Sequence, residues 1–176
     1  DFIKVYENVL NDLKSRNIEI FQNISKDIEI STLEEIKKFN PDIVGFSIIA
    51  GRDIYNTIRV IKQVRHHYPE LILIAGGQGG SFYDELLLRS GINFVVRGEG
   101  EVTLKELIQA IQENINDYST IQGISYQADK ETIKKTSNRP RIKNLDDAPF
   151  PAVHLMPMRK SKWFPERFTG SIETSR

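Results

Sequence analysis

Three short glycine-bearing segments are the places in this chain where a ligand could be held: Ala50-Gly51-Arg52-Asp53, Gly76-Gly77-Gln78-Gly79-Gly80-Ser81 and Arg97-Gly98-Glu99-Gly100-Glu101. Each follows an apolar, β-branched run, ending at Ile49, Ala75 or Val96, and each precedes a stretch with helical spacing. In open parallel sheets ligands bind where such loops leave the carboxyl ends of the strands. Glycine permits φ > 0 and lets a ligand come up against backbone, while the first amides of a following helix favour an anionic group such as a phosphate. The chemistry these loops suit is the binding of a phosphate-bearing cofactor. A single glycine after a parallel strand often only turns the chain, and three such loops in succession shift the balance toward binding. Neither GxGxxG directly after the first strand nor GxxxxGK followed by Ser or Thr is present, so dinucleotide binding and P-loop hydrolysis are weakly supported.

The other polar candidates read as structural. The chain contains no cysteine, which excludes disulfides, thiolate catalysis and Cys-ligated clusters within these residues. His66 and His67 end a helix, where imidazole complements the dipole, and adjacent helical residues point about 100° apart, a poor metal pair. His154 has no carboxylate or second histidine at ligand spacing. Asp146-Asp147 help a connector turn before Pro149. Lysine plus arginine equals aspartate plus glutamate at 24 each, which removes the basic balance that nucleic-acid binding requires. No apolar run reaches the ~20 residues of a membrane span and no signal peptide is readable, so a cytoplasmic protein without a membrane partner is expected.

The elements that must position the loops follow from periodicity. Phe2, Ile3, Tyr6, Val9, Leu10 and Leu13 share one helical face. Ile18, Ile20 and Phe21 predict a short strand, and Ser31 with Glu34 a capping box for a helix that stops at Pro41. The run Ile43 to Ile49 suits a central parallel strand buried on both faces. A helix capped by Asp53, carrying Ile54, Ile58, Ile61 and Val64 and ended by Tyr68-Pro69, a strand Leu71 to Ala75, a short helix Ser81 to Ser90 closed by Gly91, a strand Ile92 to Val96 and a helix Val102 to Ile111 complete the alternation. In the last helix Leu104, Leu107, Ile108 and Ile111 are expected inward. Strands alternating with helices imply a doubly wound, Rossmann- or flavodoxin-like α/β fold with a parallel sheet and right-handed crossovers. Such domains open with a strand, expected here ahead of Asp1. Ile121 to Gln127 and Thr132 to Thr136 flank Asp129-Lys130 as a β-hairpin. The proline-rich remainder, with Trp163, Phe164 and Phe168, is an extended linker. The expected domains are 1–116 for the core, 117–137 for the hairpin extension and 138–176 for the linker.

"PDIVGFSII", "LILIAGGQGG", "INFVVRGEGEVTLKELI", "IQGISYQ" with "RIKNLDDAPFPA", and "GSIETSR" together resemble the N-terminal cobalamin-binding domain of cobalamin-dependent radical S-adenosylmethionine enzymes, class B methyltransferase-like. The resemblance spans nearly the whole chain. It places Ser47-Ile48-Ile49 at the family's SxL position, with Gly76-Gly77 at close to the family's interval beyond it. It implies that Ser47 and Ile49 line the pocket for the cofactor's nucleotide tail, that Gly76 and Gly77 let the tail lie against backbone, and that Gly98, Glu99 and Gly100 flank its other side. Gly51, Arg52, Gln78 and Gly79 complete the expected cofactor-binding set, and no catalytic or metal-ligating residue is expected.

The DxHxxG motif of many cobalamin proteins is absent, so the resemblance implies cobalamin held without histidine ligation. The fourth-strand loop reads GGQGG, where relatives often carry a proline and a histidine. In the full-length parent the resemblance implies a 4Fe-4S cluster, S-adenosylmethionine and a C-terminal radical S-adenosylmethionine barrel as partner, with methyl transfer the commonest outcome and this fragment inert alone. Two other readings use the same fold: a scaffold that shapes substrate access without binding cobalamin, and a flavodoxin-like binder of a flavin or nucleotide.

Overall fold

Side chains alternate across a strand, and that alternation decides which helix each face of this sheet receives. The computed structural model describes residues 19–49, 53–129 and 131–144. The chain separates into two units, Asp1–Arg141 and Ile142–Arg176, and the fold is that of the first. Its elements run α1 (Glu19–Phe39), β1 (Ile43–Ser47), α2 (Asp53–His67), β2 (Ile72–Gly76), α3 (Gln78–Phe82), α4 (Asp84–Arg89), β3 (Phe94–Val96), α5 (Gly100–Gln112), β4 (Ile124–Gln127) and β5 (Ile133–Lys135). The strands form one sheet in the order β1-β2-β3-β4-β5. The first three are parallel, and β4 and β5 add as an antiparallel hairpin. The hairpin therefore extends the doubly wound sheet itself. No described helix is long and apolar enough to cross a membrane.

Val44, Phe46, Leu73, Ala75 and Val95 face one core, closed by Ile36 of α1, Ile54, Ile58, Ile61 and Val64 of α2, and Leu87 and Leu88 of α4. Their strand neighbours Ile43, Ile72, Ile74, Phe94 and Val96 face a second core with Leu107 and Ala110 of α5 and Ile121, Ile124 and Tyr126. Helices thus lie on both faces, as the βα alternation requires.

Four expectations are corrected. Ile20 and Phe21 lie inside α1 rather than in a strand, while Ile18 falls outside the described residues, as does the expected helix over 2–16. A short apolar run fits either element, and here Phe21, Ile24, Ile28, Thr32 and Ile36 continue a three- and four-residue spacing. Ser31 is consequently mid-helix. Its hydroxyl and that of Thr32 both donate to the Ile28 carbonyl, at 3.1 and 2.7 Å, so it back-bonds instead of capping. β1 is the edge strand of the described sheet, not a central one, with Gly45 and Ser47 exposed. Finally, the helix expected over 81–90 is two short ones that break at Tyr83.

Polar staples frame both ends. At the amino ends of β2 and β3, the Arg65 guanidinium donates to the carbonyls of Pro69, Leu71 and Gly91 and to Asn93 Oδ1. The hairpin is pinned by buried Asp84, whose carboxylate accepts from Ser125 Oγ at 2.7 Å and Lys135 Nζ at 3.1 Å. Lys135 also meets Glu85 at 3.1 Å. Burial pulls the Lys135 ammonium down, and its bonds to Glu85 and Asp84 more than offset this, so its pKa stands above the ordinary lysine value. A raised folded value stabilises the fold below the unfolded pKa and ceases to do so as pH rises through the folded one. The stability difference between the native chain and Lys135→Met is therefore expected to be constant near neutrality and to shrink above the ordinary value of 10.5. Urea unfolding at neutral pH and at the highest pH that the fold tolerates reads this, and a difference that grew with pH would contradict the pairing.

Candidate functional site

β1 and β2 pair so that Gly45 stands opposite Ile74 and Ser47 opposite Gly76, and the ladder continues one step further as the Ile48 amide donates to the Gly76 carbonyl at 2.9 Å. Beyond that point the chain crosses the end of β1 at backbone distance. Gly77 has φ 84° and ψ 179°, a region open essentially to glycine alone. A Cβ there would stand 2.7 Å from the Ile48 carbonyl oxygen. The same oxygen accepts from the Gly79 amide at 2.8 Å, which seats α3 directly over the strand end. Gly79 and Gly80 are buried, whereas Gln78 is exposed.

The third loop is tied to the second. Ser81 Oγ accepts from the Gly98 amide at 3.0 Å, and the Arg97 amide donates to Gly123 at 2.7 Å. Gly98 has φ 72° with nothing within 4 Å of where a Cβ would be, whereas at Gly100 a Cβ would come 3.2 Å from Val96 Cγ1. Glu99 is the N-cap residue of α5 and its side chain makes no capping bond. The second and third predicted segments thus converge on one end of the sheet and are joined by a hydrogen bond. Of the first, Ala50, Gly51 and Arg52 lie outside the described residues.

On the face turned to the second core, Gly45, Ser47 and Gly76 form a lane of small residues. Gly45 is the residue that sequence reasoning missed. It is exposed, and a Cβ on it would meet nothing within 4 Å, so neither a turn nor packing explains it. The signal was a glycine inside an otherwise apolar strand, which often marks a close approach by a ligand or by other backbone. Gly45 and Ser47 are exposed on this face, while Ile74 opposite Gly45 is buried in the second core. At the same end Ile49 and Phe82 are 70% and 79% exposed.

The histidines lie elsewhere. α2 leaves the carboxyl end of β1 and runs back along the sheet, so exposed His66 and His67 at its last turn sit at the opposite end. No cluster of metal-ligating side chains occurs among the described residues. What the site offers is backbone, a hydroxyl and open apolar surface, a combination suited to holding an extended, partly flat molecule.

Comparison with known proteins identifies the family of the chain. Residues 9–108 match the family model described as "B12 binding domain". An uncharacterized methyltransferase of Pyrococcus horikoshii is 33% identical over 93% of this chain and 35% of its own length. The cobalamin-dependent radical SAM methyltransferase TokK of Streptomyces tokunonensis is 26% identical over 63% of this chain and 16% of its own. The chain therefore spans about a third or less of these relatives. Among solved structures, the radical S-adenosylmethionine methyltransferase TsrM from Kitasatospora setae superposes with a TM-score of 0.55 at 22% identity, over 63% of this chain and 22% of that one. That likeness is one of fold.

The Gly77 contact yields a stability test. Gly77→Ala combines a strained φ with a sub-van-der-Waals approach to Ile48, and is expected to cost about 2–3 kcal/mol, read as a lowered urea midpoint at unchanged slope. Gly98→Ala, with open space but a positive φ, should cost only about 1–2 kcal/mol. Equal effects at the two positions would mean that the crossing over Ile48 is not close.

Proposed function

This chain belongs to the B12-binding domain family, and from that premise we propose that it holds cobalamin at the carboxyl ends of β1, β2 and β3. The observation that carries the reading is the lane of Gly45, Ser47 and Gly76. There a Cβ on Gly45 would meet nothing, a Cβ on Gly76 would meet Val96 only at ordinary contact distance, and Gly45 and Ser47 are exposed. These residues fit the nucleotide tail of the cofactor, with the Ser47 hydroxyl able to donate to a ring nitrogen or phosphate oxygen. Gly98, Glu99 and Gly100 border the other side, and Ile49 stands at the mouth. Gly77 and Gly79 act one step back, setting the loop over the strand end.

When bound, cobalamin supplies group-carrying cobalt chemistry that no side chain here provides. The protein's part is orientation. The bonds from Gly79 to Ile48 and from Gly98 to Ser81 hold the rim in one arrangement before ligand arrives, which limits the entropy lost on binding. His66 and His67 lie at the far end of the sheet, so neither is read as a residue that would hold the cofactor. In the whole protein we read residues 1–116 as the cofactor domain, 117–137 as its hairpin extension and 138–176 as the linker to a radical S-adenosylmethionine barrel with a 4Fe-4S cluster. The corrin would be presented to that barrel for methyl transfer or related chemistry. The names of the relatives support this reading.

Titration with hydroxocobalamin, followed by calorimetry and the cobalt absorption bands, tests it. One-to-one saturable binding is expected. Gly45→Val should leave stability unchanged or higher by up to ~1 kcal/mol, because a β-branched residue suits a strand, yet weaken cobalamin binding at least tenfold by filling the lane. Ser47→Val should weaken it several-fold. Wild-type affinity in Gly45→Val would remove the lane from the site, and uptake of flavin mononucleotide in place of cobalamin would favour the flavodoxin-like reading.

A further inference from the structure

The third glycine loop has two footings, Arg97 just past the end of β3 and Thr103 in the first turn of α5. Both grip the same piece of chain. β5 runs in the direction of β3, because β3-β4 and β4-β5 are each antiparallel, so the residues that leave it, Thr136 to Arg139, emerge at the end of the sheet where the loop lies. Arg97 Nη2 donates to the carbonyls of Thr136 at 2.5 Å and Ile124 at 3.2 Å, and its Nη1 donates to Asn138 Oδ1 at 2.6 Å. From the other footing, Thr103 Oγ1 accepts from Arg139 Nε at 2.7 Å and donates to the Gln122 carbonyl at 3.1 Å. Arg139 also pairs with Glu106. At about 100° per residue, a helix with Thr103, Leu107 and Ala110 buried and Glu106 drawn to Arg139 turns Leu104 outward. Leu104, expected inward, is accordingly 39% exposed.

Gly123 is where these pieces meet. It has φ 81°, and its amide donates to the Ser137 carbonyl at 2.8 Å. A Cβ there would come 3.1 Å from Thr103 Oγ1, 3.3 Å from the Arg97 carbonyl oxygen and 3.5 Å from Arg139 Cβ. Any side chain at this point would press the two footings and the departing chain apart. Arg97 carries a cost for its place, since its Nε is buried with no hydrogen-bond partner among the described residues, and an unsatisfied buried donor destabilises.

We propose that Asn138 and Arg139 are positioning residues for the ligand loop, acting through Arg97 and Thr103. The path of the chain that leaves β5 sets the span of Gly98 to Glu101, and with it the affinity of the site that this loop borders. The proposal rests on the reading of that site as a cobalamin site. Planar guanidinium groups fix direction as well as distance, so a displacement of residues 136–139 is passed to both ends of the loop at once. By linkage, a ligand that favours one arrangement of the loop favours the matching arrangement of the departing chain to the same degree. Cofactor affinity is thereby regulated by the position of the chain that follows β5.

The test loosens the departing chain and reads the loop. Asn138→Ala alone and Asn138→Ala combined with Arg139→Met are compared with the native full chain by amide hydrogen exchange, after circular dichroism has confirmed that each is folded. The single variant removes one exposed contact and keeps the test open where the double variant does not fold. In the double variant the Gly98 amide, held by Ser81 Oγ, is expected to exchange about tenfold faster. The Leu73 amide, held by Asn93 at the far end of the sheet, should change only in step with global stability measured in urea. Hydroxocobalamin affinity should fall about fivefold, and in the native chain the cofactor should slow exchange of the Gly123 amide. Native exchange at Gly98 in the folded variants would overturn the proposal, as would native cobalamin affinity in a variant whose Gly98 amide has loosened. A native chain that takes up no hydroxocobalamin while Gly98 still responds to the variants would defeat the cofactor reading and leave the positioning role in place.

Discussion

A carbonyl oxygen at the end of β1 and a glycine at the end of β2 come so close that a methyl group at residue 77 would stand 2.7 Å from Ile48 O. The arrangement of the site depends on that approach. It lets the loop after β2 pass over β1 instead of away from it, and the Gly79 amide then satisfies the same oxygen. α3 follows at once, and its Ser81 hydroxyl meets the Gly98 amide of the next loop. A side chain at 77 would lift α3, and with it the hydrogen bond that sets the third loop. The binding rim is thus built from main-chain contacts, which are short-ranged and stiff, and in this chain only glycine provides the clearance for them.

The rest of the unit keeps the strand ends still. Arg65 draws the loops at the amino ends together through three carbonyls and Asn93. Asp84 ties the helix layer to the hairpin through Ser125 and Lys135. Arg139 ties the chain beyond β5 to α5. A buried carboxylate is costly unless paired and hydrogen-bonded, and Asp84 has both kinds of partner. These anchors lie away from the Gly45 lane, so the sheet beneath the lane can stay rigid while the lane remains unfilled.

That division explains how a binding module can be open and stable together. One face of the sheet is closed by three helices and carries the larger core. The other holds the second core, with Ile74 of β2 buried in it and Ile43 and Ile72 packed against it, while Gly45 and Ser47 at the carboxyl end of β1 stay exposed. Hydrophobic burial on both faces supports the fold, and the exposed Gly45 and Ser47 at the end of β1 leave open the place where the cofactor is proposed to lie. In the proposed site the residues that are missing bulk, Gly45 and Gly76, matter as much as Ser47, which presents a group.

Much of this was readable in the sequence because it is local. The βα alternation, the strand positions of Ile43, Ile72 and Phe94, the hairpin around Asp129 and the convergence of glycine loops follow from periodicities of two and 3.6 and from turn chemistry, which need only neighbouring residues. The errors arose where a local pattern has two readings. Ile20 and Phe21 suit a strand as well as a helix, Ser31 can cap or back-bond, and Leu104 lies at the border of an inward face whose exact centre is set by what α5 packs on. Tertiary structure alone decided that β1 is the edge of the described sheet, that Gly77 is required by Ile48 while no neighbour among the described residues requires Gly45, and that Arg139 ties α5 to the chain beyond β5. Those facts depend on distances between residues far apart in sequence, and no spacing along the chain encodes a distance across it.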